Sequence, residues 1–87
     1  MIKIKRITDT AILPVRGSDY SAGWDLCADI SDDLVLKPAE TCVIGTGWAI
    51  EIPNGYFGAI FARSGLATKE GLRLANSVGV VDSDYRG

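Results

Sequence analysis

No histidine occurs in these 87 residues, and cysteine is nearly absent, with only Cys27 and Cys42 present. Two widely spaced thiols without a CxxC pair or a histidine do not make a zinc site, so both cysteines are expected as ordinary core or half-buried residues. A basic excess is also missing: nine Lys and Arg face eleven Asp and Glu, for a net charge of −2. No cationic stripe exists to displace counterions, which argues against a nucleic-acid polymer as partner. One small anionic ligand stays within reach, because a few locally placed arginines suffice for it. Long apolar runs are lacking as well. No stretch is long enough to span a bilayer, and the basic start Met1 to Arg6 has no apolar segment behind it of the kind a signal peptide carries. The expectation is a soluble, cytoplasmic protein with reduced thiols and no membrane contact.

What the chain has in plenty is glycine, ten residues against three prolines, which predicts many tight turns. Helical heptads are absent, and the length allows one domain over residues 1–87, with a thin margin of buried surface. Ile2-Lys3-Ile4-Lys5 alternates with period two, as a half-exposed first strand does. Gly17 to Gly23 is a loop by composition. Trp24 to Asp29 alternates again, with Trp24, Leu26 and Ala28 on one face and Asp25, Cys27 and Asp29 on the other, which predicts a strand. Leu34–Leu36 and Thr41–Ile44 are two further short strand candidates.

Trp48 to Ile52 alternates cleanly up to a Pro53-Asn54-Gly55 hairpin turn. Tyr56 to Ala62 is apolar throughout and is predicted as a strand covered on both faces. Gly65 to Lys69 is the single helical candidate, with Ser64 in the N-cap position and Gly71 just past its end. Leu72 to Ala75 alternates before a closing hairpin, in which Val78–Val81 and the chain from Tyr85 flank an Asp82-Ser83-Asp84 turn. Short strands, frequent turns and almost no helix predict an all-β, distorted antiparallel jelly roll or β-sandwich.

Two stretches could carry chemistry. At Arg63-Ser64-Gly65 a strand passes into a helical turn. N–H groups at such a start favour an anion, Ser64 adds a hydroxyl, and Arg63 adds a guanidinium fork suited to phosphate oxygens. The plainer alternative is a serine cap beside a solvated arginine. In the closing segment, Gly79 leaves the backbone bare for a flat ligand, Tyr85 offers a ring face and Asp82 a carboxylate. An ordinary hairpin with polar turn residues is the alternative there. Asp25, taken alone, reads as a surface carboxylate.

Three segments resemble, in order, three motifs of the trimeric dUTP nucleotidohydrolases (dUTPases): Ala22-Gly23-Trp24-Asp25-Leu26, Arg63-Ser64-Gly65-Leu66-Ala67, and Asn76 to Gly87. The resemblance implies a dUTPase-like β-clip and Mg²⁺-dependent hydrolysis of dUTP to dUMP and pyrophosphate. It implies that Arg63, Ser64 and Gly65 hold phosphates, and that Asn76 with the backbone at Gly79, Val80 and Val81 meets uracil. By the same resemblance, Asp82 holds the attacking water and the sugar 3′-hydroxyl, Tyr85 presses on the deoxyribose, and Asp25 serves the metal region through water. Asp84 is left as a turn residue, paired with a basic neighbour. The family's assembly implies a homotrimer whose sites are shared between subunits. Two further family motifs, a Gln-containing strand and a glycine-rich arm with Arg and Phe, are not in these 87 residues. On that ground the β architecture is expected to be incomplete at its C-terminal side and turnover to be weak. Two rivals remain: a dCTP deaminase of the same fold, against which Gly65 and the Asp82–Tyr85 turn speak, and a nucleotide-binding or regulatory module without turnover.

Overall fold

The computed structural model describes residues 1–87 and contains four short strands and one helix. These are β1 (Lys3–Arg6), β2 (Trp48–Glu51), β3 (Gly58–Ile60), α1 (Ser64–Glu70) and β4 (Gly79–Val81). The fold is all-β with one short helix. β1 and β2 make one two-stranded sheet, and β3 and β4 make another. The chain groups into two compact units, residues 4–49 and residues 50–87 with Met1–Lys3.

Within residues 4–49 the backbone is held by turns and single bridges more than by ladders. Val15 and Asp25 form an isolated antiparallel bridge, with Asp25 N–H donating to Val15 O at 2.7 Å and the reverse bond at 3.3 Å. Asp29 N–H donates to Gly45 O at 2.9 Å. The strands expected at Trp24–Asp29, Leu34–Leu36 and Thr41–Ile44 are therefore not formed as ladders. Alternation marks two faces of an extended chain, but a strand also needs a neighbour along its length. Here the backbone of Asp25 pairs with Val15 and that of Asp29 with Gly45, two different segments.

Arg6, the last residue of β1, stacks its guanidinium 4.7 Å from the centre of the Trp48 ring. It also donates from Nη1 to Ala11 O at 2.6 Å. The Trp48 indole N–H donates to Ile12 O at 2.7 Å. This cation–π and hydrogen-bond cluster surrounds Ala11, the buried residue of this unit.

In the other unit the buried residue is Ile52. The Pro53-Asn54-Gly55 turn forms as expected, with Gly55 at φ +85° and Tyr56 N–H donating to Pro53 O. It does not make a hairpin, because β3 pairs with β4. β3 is shorter than Tyr56–Ala62 and is not covered on both faces: Tyr56, Phe57 and Phe61 are exposed. The register sets Gly58 opposite Val81, Ala59 opposite Val80 and Ile60 opposite Gly79. Each glycine thus faces a β-branched side chain. A Cβ on Gly58 would stand 3.2 Å from both Val81 Cβ and Ile52 Cδ1, and one on Gly79 would stand 3.1 Å from Ile60 Cβ.

Leu72–Ala75 is not a strand; turns run from Leu74 to Val78, with Ser77 N–H on Leu74 O and Val78 N–H on Asn76 O. In the closing segment only Arg86 and Gly87 follow Tyr85. Tyr85 N–H closes the Asp82–Tyr85 turn on Asp82 O at 3.1 Å, and the chain beyond it is unpaired. β4 finds its partner in β3 instead.

Candidate functional site

The three residues singled out for phosphate binding stand together where β3's chain turns into α1. Arg63 is the N-cap, in extended conformation (φ −69°, ψ 133°), and Ser64 is the first helical residue. The expectation that Ser64 caps the helix is corrected: no side chain caps this end. Only the residue before the first helical one has its side chain aimed at the open N–H groups, and Ser64 lies one position too far along. Its hydroxyl is therefore not committed to a cap. No acidic residue lies in the first turn, so nothing there repels an anion. At the other end Gly71 takes the left-handed conformation, φ +67°; its N–H closes the last turn on Ala67 O, and the N–H of Leu72 closes on Leu66 O, each at 3.2 Å, as a glycine C-cap does. An open hollow of about 280 Å³ runs along one helix face, lined by Arg63, Gly65, Leu66, Lys69 and Glu70.

The second group is carried by β4 and the turns on either side of it. Before the strand, Val78 N–H reaches back two residues to Asn76 O at 2.8 Å, with Ser77 at φ +68° between them. A bond of that span around a positive φ is a γ-turn of the rarer, strained hand, and it places Asn76 at the head of β4. Sequence reasoning passes over Ser77, since serine carries no mark of positive φ.

β4 has β3 on one side only. Consecutive residues of an antiparallel strand turn their N–H and C=O groups to opposite edges, so of Val80 and Val81 one faces the open edge. Val80 is exposed, while Gly79 and Val81 are half-buried. Gly79 has a packing reason, the Ile60 side chain across the ladder, alongside any ligand reason. After the strand, Asp82 and Tyr85 are both exposed at the two ends of one closed turn. The expected pairing of Asp84 with its basic neighbour Arg86 is not formed. Arg86 directs its guanidinium to Ser83 O and Tyr85 O and towards Glu51.

In its own unit, Asp25 is half-buried and its backbone is fixed by the bridge to Val15. The loop between them is stitched shut. Arg16 Nη2 donates to Ser21 O at 2.6 Å, and Ser18 N–H donates to Ser21 Oγ at 2.8 Å. The Arg16 guanidinium also lies 5.9 Å from the centre of the Trp24 ring. Trp24 is 61% exposed. No group of three or more His, Cys, Asp or Glu residues comes together to hold a metal ion. A divalent cation fits this donor set only if phosphate oxygens and water supply most of its shell, which is how Mg²⁺ is commonly held on nucleotides.

Comparison with known proteins decides the family. The dUTPase family model matches residues 9–87. The chain belongs to the dUTPase family. The deoxyuridine 5′-triphosphate nucleotidohydrolase of Wolbachia pipientis wMel is 47% identical over 88 residues, covering 99% of this chain and 58% of that protein. The enzyme of the same name from Desulfitobacterium hafniense (strain DSM 10664 / DCB-2) is 53% identical over 76 residues, covering 86% and 50%. Among solved structures, the dUTPase of Staphylococcus bacteriophage 80alpha superposes with a TM-score of 0.86 at 33% identity, over 100% of this chain and 54% of that one. The chain thus spans between 50% and 58% of the length of these relatives.

Within this dUTPase-family chain, Arg63-Ser64-Gly65 gather at one helix start, and Asn76 to Tyr85 gather around β4. Arg16 and Arg86 are the residues that motif reading left out. Each is an arginine flanking a turn-rich segment, and its carbonyl partners become visible only once the turn is folded.

Proposed function

We propose that the protein of which this chain forms part hydrolyses dUTP to dUMP and pyrophosphate. The observation that carries this reading is the family match over residues 9–87, in a chain whose closed turn presents Asp82 and Tyr85 to solvent. In the reaction a water oxygen attacks the α-phosphorus. The bond from that phosphorus to the bridging oxygen breaks, pyrophosphate leaves, and the water's protons pass to solvent and product. Asp82 orients the water as an acceptor. Phosphoryl transfer asks a protein mainly for alignment and for charge in the right place. Arg63, the Ser64 hydroxyl and the N–H groups at the start of α1, Gly65 included, hold the phosphate oxygens.

Asn76 and the open edge of β4 read the uracil ring, and Tyr85 lies against the deoxyribose, where a 2′-hydroxyl has no room. A cytosine amino group would leave such a backbone partner unpaired, the kind of mismatch that discriminates by about 10⁴ or more. Asp25 is the residue that would serve a Mg²⁺ ion, through water, and that ion would supply countercharge to the phosphates. The working assembly is a homotrimer with the β4 segment of one subunit serving a neighbour's Arg63-Ser64-Gly65. The test is pyrophosphate release from dUTP, dCTP, dTTP and UTP by the protein at its full encoded length. Release from dUTP alone is expected, with Asp82→Asn lowering kcat by about 10²–10⁴-fold while dUTP still binds. Full activity in that variant refutes the role of Asp82, and ammonia release from dCTP would transfer the chain to the deaminases of this fold.

A further inference from the structure

The turn that carries Asp82 and Tyr85 is pinned by more than its own hydrogen bond. Inside it, Tyr85 N–H donates to Asp82 O at 3.1 Å. Outside it, Arg86 Nη1 donates to Ser83 O at 3.0 Å and to Tyr85 O at 2.8 Å. The other arm of the same guanidinium, Nη2, lies 3.9 Å from Glu51 Oε1, on the last residue of β2. One nitrogen of the planar guanidinium, Nη1, thus holds two carbonyls of the turn, while the other, Nη2, leans on a carboxylate from a different strand.

The two ends differ in weight. Both Arg86 and Glu51 are more than half exposed, and an ion pair in water contributes little. Hydrogen bonds from a charged donor are the stronger kind, and these two fall within a single four-residue turn. The bond to Ser83 O restricts a peptide group inside the turn, and the bond to Tyr85 O fixes the peptide that leaves it; the side chains of Asp82 and Tyr85 stand at the turn's two ends. A lysine would not reproduce this, because the planar guanidinium fixes the two N–H directions of Nη1, whereas an ammonium turns freely on a flexible stem.

We propose that Arg86 is a positioning residue that holds the Asp82–Tyr85 turn in the shape from which carboxylate and ring meet the nucleotide. This rests on the reading of Asp82 and Tyr85 given above. Misplacement of a reacting group by about 1 Å can cost about 10²-fold in rate, so loosening the turn should appear in kcat before it appears in binding.

The experiment compares the unsubstituted protein at its full encoded length with Arg86→Gln, Arg86→Lys and Glu51→Gln. It measures pyrophosphate release from dUTP, the thermal midpoint and hydrogen exchange at the Tyr85 amide. Both Arg86 variants should lose about 10–100-fold in kcat with KM within about threefold, and their Tyr85 amide should exchange faster. Glu51→Gln should stay within about twofold of the parent. Parent-like kcat in Arg86→Gln, or rescue by Arg86→Lys, overturns the proposal. So does a parallel loss in kcat, KM and thermal midpoint, which would mark a purely structural residue. If the unsubstituted protein releases no pyrophosphate, the reading of the site fails by itself. The Tyr85 amide then decides the present claim: unchanged protection in Arg86→Gln overturns it, and lost protection upholds the pinning of the turn.

Discussion

At Gly47 the backbone turns through φ +76° with its carbonyl accepting from the N–H groups of Ile7 and Thr8. A Cβ there would collide with Thr8 Oγ1 and stand 2.6 Å from Ala11 Cβ and 2.9 Å from Asp29 Oδ2. Left-handed backbone and overpacking each cost about 1–3 kcal/mol for an ordinary residue. Gly47→Ala should therefore lower unfolding free energy by more than about 2 kcal/mol, as read from a urea midpoint. Beside it, the Thr8 hydroxyl donates to Asp29 Oδ2. This bond, with a second from Thr10, holds the Asp29 carboxyl below its ordinary 3.8 against a smaller opposing effect of burial. A carboxyl depressed by folding adds stability above its unfolded pKa and loses it as pH falls through the folded value. The stability gap between the parent and Thr8→Val should thus be full near neutrality and should narrow below pH 3.8; a gap independent of pH would remove Asp29 from the account. Chemistry-bearing residues such as Asp82 and Arg63 were legible in the sequence because motif spacing marks them. Ser77 was not, since its positive φ is imposed by the turn on either side of it.

At the scale of elements, the Lys37–Glu40 turn shows how far local rules reach. Glu40 N–H donates to Lys37 O at 3.0 Å, and Glu40 returns its carboxylate to Lys37 N–H at 2.9 Å. Pro38 takes the second position, but the third, which needs positive φ in a type II turn, is Ala39 at φ +65°. Ala39→Gly removes a left-handed alanine, so it should raise stability by about 0.5–1 kcal/mol and the thermal midpoint by a few degrees; an unchanged or lower midpoint would contradict it. The helix was legible to within a residue because Gly71 ends it by a local rule. The Asn54-Gly55 hairpin was not. Asn54-Gly55 and Asp82-Ser83-Asp84 do turn the chain, yet β2 and β3, on either side of Asn54-Gly55, do not pair with each other. β4 takes β3 because Gly58 and Gly79 leave room for Val81 and Ile60 on one face, a fit between segments far apart in sequence.

For the whole molecule, burial is the deciding quantity. The chain exposes 7443 Å², whereas a folded monomer of its 9.3 kDa presents about 5,000 Å². Only Ala11 and Ile52 are buried apolar residues, and Val43 and Tyr20 stand almost fully in solvent. This chain spans only about half the length of its relatives, so surface of that kind is open to the rest of a longer chain as well as to a second subunit. The expected outcome of sedimentation velocity on the full-length protein is a trimer that persists on dilution; a monomer at every concentration would argue against a site shared between subunits.

The sequence alone determined that this chain is β-rich, has one short helix near Gly65 and carries three dUTPase-like segments. Composition, turn residues and motif spacing act over a few neighbouring positions, and a linear reading captures them. Only the tertiary structure decided that β4 pairs with β3, that Ser64 is helical and not the cap, and that Arg86 grips the turn holding Asp82. Those outcomes depend on which extended segment finds a complementary neighbour, and alternation marks a face without naming the strand that lies beside it.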